Sequence, residues 1–314
     1  MLISLNKILP AARKGHYAIG AFNINNLEMC QGIIAGAIAM KSPVILQTSE
    51  GAIEYAGMDY LAAIALTAAA QSKIPVVFHL DHGKNFDLVI TALQSGFYSS
   101  VMFDGSSLPF AENVRMTREV VKLAHKKYIS VEAELGRIFG TEDKVSVDAK
   151  SATFTDPKEA AEFVKKTGCD ALAIAIGTAH GAHKSDVKPS LDLPRLKEIA
   201  ALISIPLVLH GASSLSTKLV DKLHTHCAQF GDCMRLSNAM GIPEDQEKKA
   251  IKLGIAKINI DSDLRVAFTA AVRETLLNDH TTFDPRKLLG PSRDLITKVV
   301  IEKIKMLGSK GKGK

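Results

Sequence analysis

Titratable side chains end an apolar run in the segment Phe78-His-Leu-Asp-His-Gly83. The preceding residues, starting after Pro75, have the β-branched and aromatic composition of a buried strand. Core packing does not need an acid flanked by two histidines at the end of a strand. Asp81 and His82 are therefore candidates for chemistry, although two histidines at an exposed strand end would have the same sequence.

Two further histidines follow other apolar runs: His180 in GTAHG and His210 in LVLHGASS. Zinc takes neutral imidazoles readily, and three protein ligands leave a coordination position open for substrate oxygens. Each of the three histidines precedes a glycine, which lets a ligand approach the backbone closely. Any one of them alone would be interpreted as an ordinary histidine at a strand end. Together they predict one catalytic Zn²⁺ held by His82, His180 and His210.

A second group of metal-ligand residue types lies in LHTHCAQFGDC: His224, His226, Cys227 and Cys233. These types suit a structural zinc, but the spacing matches no standard finger or knuckle. On a helix, His224 and His226 would diverge by about 200°. A helix and loop inserted after the seventh strand is the favoured interpretation.

Groups that could bind phosphate follow the later strands. Barrel enzymes commonly bind phosphate with the loops after strands seven and eight and an adjoining helix N-terminus. Ordinary turn and cap chemistry would use the same residue types. The candidates are Gly181, Lys184, Gly211, Ser213, Asn259, Asp261 and Ser262.

Short β-type runs alternate with amphipathic helical runs along the chain. This order predicts parallel strands with crossover helices, and eight units in about 260 residues fit a closed (β/α)8 TIM barrel. A doubly wound open sheet is disfavoured, because no G-x-G-x-x-G follows the first strand. The expected strands are 18–22, 44–47, 76–80, 100–103, 130–134, 171–176, 207–209 and 256–260.

The chain is expected to form one α/β domain over residues 1–308. Residues 281–308 form a C-terminal helical extension of the barrel. The lysine- and glycine-rich end, residues 309–314, is expected to be a disordered basic tail.

Composition limits the possible functions of this 314-residue chain. No apolar run approaches the ~20 residues of a membrane span, and the first residues do not suit a secretory signal. Four irregularly spaced cysteines suggest reduced thiols in the cytoplasm. The net charge of +6 raises the question of nucleic acid, but there is no zinc-finger spacing, RRM signature or arginine stripe. The positive surplus also suits an enzyme that handles anionic metabolites. We therefore expect neither nucleic acid nor membrane as a partner.

Six motifs in order carry a family resemblance: AFNINN, HLDHG, SVEAELGRIFGTEDKVSVD, AIGTAHGAHK, LVLHGASS and KINIDSDLRVAF. From about residue 2 to 308 the chain resembles the class II, zinc-dependent ketose-bisphosphate aldolases, which include the fructose-bisphosphate aldolases of glycolysis and gluconeogenesis. The resemblance implies a (β/α)8 barrel and the activity of a lyase. Such an enzyme reversibly cleaves a ketose bisphosphate into dihydroxyacetone phosphate and an aldehyde.

The resemblance also implies roles for individual residues. Glu134 would approach the zinc as an alternative ligand to the three histidines. Asp81 would protonate the aldehyde oxygen in condensation and remove that proton in cleavage. Glu142, in a mobile GTEDK loop, would exchange the proton at the carbon next to the ketone. Arg286 would reach the second phosphate across a dimer interface, in a homodimer or a higher homo-oligomer.

The remaining implied roles concern substrate binding. Asn23 and Ser49 would bind the aldehyde half of the substrate, and the other half would be held by Gly181, Lys184, Gly211, Ser213, Asn259, Asp261 and Ser262. Two residues depart from the family pattern and bear on substrate preference. Ser107 stands where the family usually has a histidine, and His183 stands where an aromatic residue is expected. The long segment between Ser213 and Asn259 favours fructose 1,6-bisphosphate, whose cleavage gives glyceraldehyde 3-phosphate, over tagatose 1,6-bisphosphate. Whether a monovalent cation, Na⁺ or K⁺, also binds stays open.

Two rival functions compete with metal-dependent cleavage. A Schiff-base aldolase on the same barrel would need a lysine at a strand end, and Lys257 is the nearest candidate. A non-catalytic basic adhesion or nucleic-acid-binding protein would keep an inert barrel. Loss of activity with a chelator, borohydride inactivation and salt-dependent retention on DNA distinguish the three hypotheses.

Overall fold

A parallel barrel forms the centre of the computed structural model, which describes residues 1–142, 145–147, 153–180, 190–212, 217–227 and 241–313. Its eight strands are β1 (Ile19–Asn23), β2 (Val44–Thr48), β3 (Val76–Gly83), β4 (Ser100–Phe103), β5 (Ser130–Leu135), β8 (Ala171–Ile174), β10 (Leu207–Leu209) and β11 (Ile255–Ile260). The barrel closes in the order β1-β11-β10-β8-β5-β4-β3-β2. The predicted (β/α)8 fold is confirmed, and the bounds of β4 and β10 match the prediction.

Helices surround this barrel. Asp156 caps its helix by accepting from the amides of Lys158 and Glu159, and Gly168 ends that helix with φ 70°, as the sequence predicted. The α-helices of the described residues are α1 (Leu9–Lys14), α2 (Leu27–Met40), α3 (Glu50–Ala56), α4 (Met58–Gln71), α5 (Phe86–Ser95), α6 (Phe110–His125), α7 (Pro157–Thr167), α8 (Leu193–Leu202), α9 (Thr217–Cys227), α10 (Glu244–Lys252), α11 (Ser262–Asn278) and α12 (Pro285–Leu307).

Apolar side chains pack on both sides of the barrel wall. The larger cluster lies between the strands and the surrounding helices. The smaller one fills the amino-terminal end of the barrel, where Ile19, Ile45 and Val77 pack with Leu5 and Leu9 of the first turns of the chain. These apolar contacts close one end of the barrel. The opposite end, formed by the carboxyl ends of the strands, is where active sites lie in barrels of this kind.

A small sheet lies outside the barrel and was not predicted. Its strands are β6 (Phe139–Glu142), β7 (Val145–Val147) and β9 (Ala179–His180), in the order β7-β6-β9. Glu142, expected in a loop, is instead the last residue of β6 and pairs with Val145. Alternating β-branched residues in β7 suit a hairpin. The third strand comes from a distant part of the chain, so local sequence could not reveal the sheet.

The chain end also differs from the expected disordered tail. Ser309 is fully buried, and its hydroxyl contacts that of Ser42 at 2.8 Å. The amides of Gly311 and Gly313 donate to the carbonyls of Met40 and Lys41. Gly311 has a φ of 77°, a left-handed conformation that glycine adopts without strain. Residues 309–313 thus pack against the end of α2, and Lys314 lies outside the described residues.

Candidate metal centre and active site

Two predicted metal ligands meet at the carboxyl ends of β3 and β10. His82 Nε2 lies 2.6 Å from His210 Nδ1, and the two residues are 5% and 0% exposed. The other nitrogen of each ring faces a carboxylate: His210 Nε2 is 2.7 Å from Glu132 Oε1, and His82 Nδ1 is 3.3 Å from Asp104 Oδ2. Carboxylates that orient histidines in this way are typical of metal sites. The pair therefore fits a divalent cation.

The backbone at His82 is strained. Its φ of 47° is in the left-handed region, which non-glycine residues rarely adopt and which is often associated with functional sites. The register of β3 against β4 shifts between Leu80 and Gly83. A Cβ at Gly83 would lie 2.5 Å from the carbonyl oxygen of Met102. Gly83 is thus needed for the close approach of the neighbouring strand.

Two further carboxylates lie beside His82. Glu134 Oε2 is 3.8 Å from His82 Nδ1, and His82, Asp104 and Glu134 could together hold a cation. Burial raises the pKa of Asp104, but hydrogen bonds from His82 and Ser106 and the charges of His82 and Lys84 outweigh burial and hold that pKa below its ordinary value. Asp104 was not among the predicted site residues. Its position at the end of β4 was the available signal.

Asp81 is held by three amide side chains. Its Oδ2 accepts from Gln47 at 2.8 Å and from Asn23 at 3.2 Å, and its Oδ1 accepts from Asn259 at 2.9 Å. Asn259 also lies 3.2 Å from His210 Nδ1, so the carboxylate is oriented beside the histidine pair. Asp81, His82 and His210 form another group that could hold a cation. Sequence reasoning missed Gln47, a polar residue inside an otherwise apolar strand.

An ionic layer lies beneath the histidine pair, inside the barrel. Lys257 Nζ is 2.9 Å from Glu132 Oε2, and His79 Nε2 is 3.6 Å from the same oxygen; all three side chains are fully buried. Burial and then the charge of Lys257 lower the pKa of His79 well below its ordinary value. His79 is therefore neutral, and its Nδ1 contacts Ser100 Oγ at 2.9 Å.

Several predicted residues cannot be placed in the site. The backbone of His180 pairs with Gly140, but the side chains of His180 and Glu142 lie outside the described part of the chain. Gly181, Lys184 and Ser213 lie wholly outside it. His180 as a third imidazole ligand therefore stays a prediction, as does the metal site itself.

The described substrate-binding candidates lie at the ends of β1, β2, β10 and β11. Ser49 also caps α3 by accepting from the amide of Ala52, and Asp261 pairs with Arg265 at 2.8 Å. Ser262 begins α11, and Gly211 has a φ of 61°. A cavity of 480 Å³ lies beside these strand ends and is lined by Asn25, Asn26, Met29, Gly51, Ala52, Tyr55, Arg265, Phe268 and Thr269.

Two predicted features lie apart from this cluster. Arg286, at the start of α12, has a side chain that is 91% exposed and pairs with Asp284 at 2.9 Å. The fold does not bring this side chain into contact with the site residues described above. The second group of cysteines and histidines begins on α9, which carries His224. This helix follows the seventh barrel strand, where the sequence predicts an inserted helix. Cys233 and the side chains of His226 and Cys227 lie outside the described residues, so a structural zinc there is untested.

Comparison with known proteins places this geometry among aldolases. The profile of the family described as fructose-bisphosphate aldolase class-II matches residues 3–312. A fructose-bisphosphate aldolase of Thermus caldophilus is 48% identical over 99% of this chain and all of the relative. One from Giardia intestinalis is 45% identical over 99% of this chain and 94% of the relative. The crystal structure of the YdjI aldolase from Escherichia coli K12 superposes with a TM-score of 0.80 at 34% identity, covering both chains completely.

Proposed function

Because the chain belongs to the class II fructose-bisphosphate aldolase family, we propose that it reversibly cleaves fructose 1,6-bisphosphate into dihydroxyacetone phosphate and glyceraldehyde 3-phosphate. The reaction uses a divalent metal ion. The observation that carries this proposal is the convergence of His82 Nε2 and His210 Nδ1 to 2.6 Å, beside a carboxylate held by three amides. A cation site next to an oriented acid–base group is what aldol cleavage requires.

The proposed ion is Zn²⁺, and the residues present fit it. Neutral imidazole nitrogens suit zinc, and Glu132 and Asp104 orient the rings of His210 and His82. His180 is proposed as the third ligand, with Glu134 as an alternative. When bound, zinc supplies a Lewis acid that stabilises the negative charge developing as the carbon–carbon bond breaks.

Asp81 is proposed as the group that moves the hydroxyl proton. In cleavage its carboxylate removes the proton from the hydroxyl that becomes the aldehyde, and in condensation it returns the proton to that oxygen. The amides of Asn23, Gln47 and Asn259 fix its orientation, which is a requirement for efficient proton transfer. Glu142 is proposed to exchange the proton at the carbon next to the ketone.

The substrate is proposed to lie across the carboxyl ends of the strands. Gly181, Lys184, Gly211, Ser213, Asn259, Asp261 and Ser262 would hold the dihydroxyacetone phosphate half. Asn23 and Ser49 would bind the other half, next to the 480 Å³ cavity between α2, α3 and α11. A Schiff-base mechanism through Lys257 is disfavoured, because Lys257 is fully buried and paired with Glu132.

A steady-state comparison tests the proposed function. We expect the kcat/KM for fructose 1,6-bisphosphate to be higher than the kcat/KM for tagatose 1,6-bisphosphate. Metal analysis of the same sample should give one zinc per chain. Because the two sugars differ in configuration at a single carbon, both could be cleaved at different rates. A preference for the tagatose sugar would overturn the fructose assignment. Absence of turnover with either sugar would overturn the proposed function.

We propose a homodimer in which Arg286 reaches the partner's substrate. Its side chain is 91% exposed, and the preceding Phe283 is 93% exposed, so this turn is available to a second copy. Charge-assisted hydrogen bonds are each worth about 1.5–3 kcal/mol. Arg286→Ala should therefore lower kcat/KM for the bisphosphate by about 10- to 150-fold, mainly through KM. Steady-state kinetics measures the change.

The matched control is Arg293→Ala, on the same helix and paired with Asp294. It should leave kcat/KM within about twofold of the unmodified enzyme, since the effect of an ordinary surface ion pair is small. Equal losses in both variants would contradict the proposed role of Arg286. Sedimentation that shows only monomers would contradict the dimer.

A cytoplasmic location is proposed from the thiols. Burial raises the pKa of Cys30 and of Cys169 to about 12, which keeps both as unreactive thiols. Both are free cysteines.

In the part of the chain that the structure describes, no helix is long and apolar enough to cross a membrane.

A further inference from the structure

The pair Lys257–Glu132 occupies an unexpected place in the barrel. Both side chains are fully buried, and Lys257 Nζ lies 2.9 Å from Glu132 Oε2 and 3.2 Å from Oε1. Barrel interiors are usually filled by layers of branched apolar residues. Burying an ion pair costs several kcal/mol per ion before the attraction is counted, and apolar residues of similar volume often stabilise as well or better. Stability alone therefore does not explain this pair.

The hydrogen bonds around Glu132 have a defined direction. An ionised carboxylate only accepts, and Lys257 only donates. His210 Nε2, at 2.7 Å from Glu132 Oε1, must therefore carry the proton. In the neutral imidazole, Nδ1 then keeps its lone pair. That nitrogen faces His82 Nε2 at 2.6 Å, so the chain of contacts begins at Lys257 and ends at the proposed metal position.

Lys257 lies too deep to serve the substrate directly. Asn259, two residues later on β11, contacts Asp81 and His210 at the strand ends. Val208, the partner of Lys257 on β10, belongs to the inner apolar cluster that closes the other end of the barrel. Lys257 thus lies one layer below the residues proposed to meet substrate, between them and the apolar core.

We propose that Lys257 is a positioning residue for the metal: it holds the Glu132 carboxylate, which in turn fixes the ring orientation and tautomer of His210 for a divalent cation of the zinc type. This inference rests on the proposed function, because it assigns His210 Nδ1 to the metal. Outer residues that orient metal-bound histidines typically change metal affinity by 10- to 100-fold when they are replaced. We expect the replacement of Lys257 to change metal affinity by a factor of that size.

The test is a metal titration of the apo-protein. Zn²⁺ and Co²⁺ are titrated into the unmodified chain and into Lys257→Met in competition with a chelating dye. We expect Zn²⁺ affinity 10- to 100-fold weaker in Lys257→Met, and a changed visible spectrum for the Co²⁺ form because His210 is no longer held. An affinity within twofold of the unmodified chain, with the same Co²⁺ spectrum, would overturn the inference.

A double variant covers the case in which Lys257→Met does not fold, since an unpaired buried carboxylate is strongly destabilising. Lys257→Met/Glu132→Gln leaves no uncompensated charge in the barrel. It should also bind Zn²⁺ 10- to 100-fold more weakly than the unmodified chain. The single variant Glu132→Gln completes the cycle. Where both single variants and the double variant fold, the two single losses of affinity should not add in the double variant, because both residues act through one chain of contacts. Additive losses would contradict that shared route, and so would full affinity in the double variant.

Lys303→Met is the matched control. Lys303 forms another buried ion pair, with Asp263 at 3.0 Å, between α12 and α11 and outside the barrel. Its replacement should lower thermal stability and leave Zn²⁺ affinity unchanged. An equal loss of affinity would mean that Lys257 acts only through general stability. If the unmodified chain binds no divalent metal at all, the proposed function itself fails, so the two failures are distinguishable.

Discussion

Removal of the divalent metal should reduce cleavage of fructose 1,6-bisphosphate by at least ~10³-fold. Lewis-acid stabilisation of the developing charge contributes several kcal/mol, and about 4 kcal/mol corresponds to that factor. His210→Ala should cause a loss of the same size, because Nδ1 faces His82 Nε2 at the proposed metal position. The measurement is the cleavage activity after dialysis against a strong chelator, and again after Zn²⁺ has been added back.

The control for the histidine variant is His125→Ala. His125 is exposed on α6 and pairs with Asp170 at 2.9 Å, so its loss should change neither metal content nor kcat. Full activity of the metal-free protein would contradict the account. A Schiff-base mechanism would be supported instead if borohydride inactivated the enzyme in the presence of substrate while a chelator had no effect.

Asp81→Asn should lower kcat by ~10²–10⁴-fold, the usual contribution of a positioned acid–base group. An amide cannot take the hydroxyl proton, and its NH₂ group would face the amide donors that now bind the carboxylate. Metal content should stay at one ion per chain, because the proposed role of Asp81 is proton transfer. Steady-state kinetics and metal analysis on the same sample check both expectations.

Asp59→Asn, at an exposed position of α4, is the matched substitution and should leave kcat unchanged. Loss of the metal together with activity in Asp81→Asn would instead make Asp81 a ligand, an arrangement that its closeness to His82 and His210 also allows. Unaltered kcat would remove Asp81 from the mechanism.

Much of the fold could be predicted because its signals are local. Strand composition, helix caps and their alternation depend on neighbouring residues, so the eight barrel strands were located within a few positions. Polar residues at strand ends predicted the meeting of His82 with His210, because parallel strands in a barrel all end on one face. The small sheet β7-β6-β9 was missed because its third strand, β9, comes from a part of the chain distant from β6 and β7.

The ionic layer beneath the histidine pair could not be predicted for a different reason. Its members Lys257, Glu132 and His79 lie inside strands, where a sequence shows which residue is present but not which residue it faces. Whether Lys257 pairs with Glu132 depends on the barrel register, which only the three-dimensional structure supplies. The packing of residues 309–313 on α2 was missed similarly, since glycine and lysine composition predicts disorder unless a docking surface is known.

An anomalous difference map, collected at the zinc absorption edge from crystals of the zinc-loaded protein, tests the central claim most directly. The account predicts one strong peak about 2.0–2.1 Å from both His82 Nε2 and His210 Nδ1, with the His180 ring as its third imidazole. A peak bound to other residues, or none between these two rings in protein that is fully active, would contradict it.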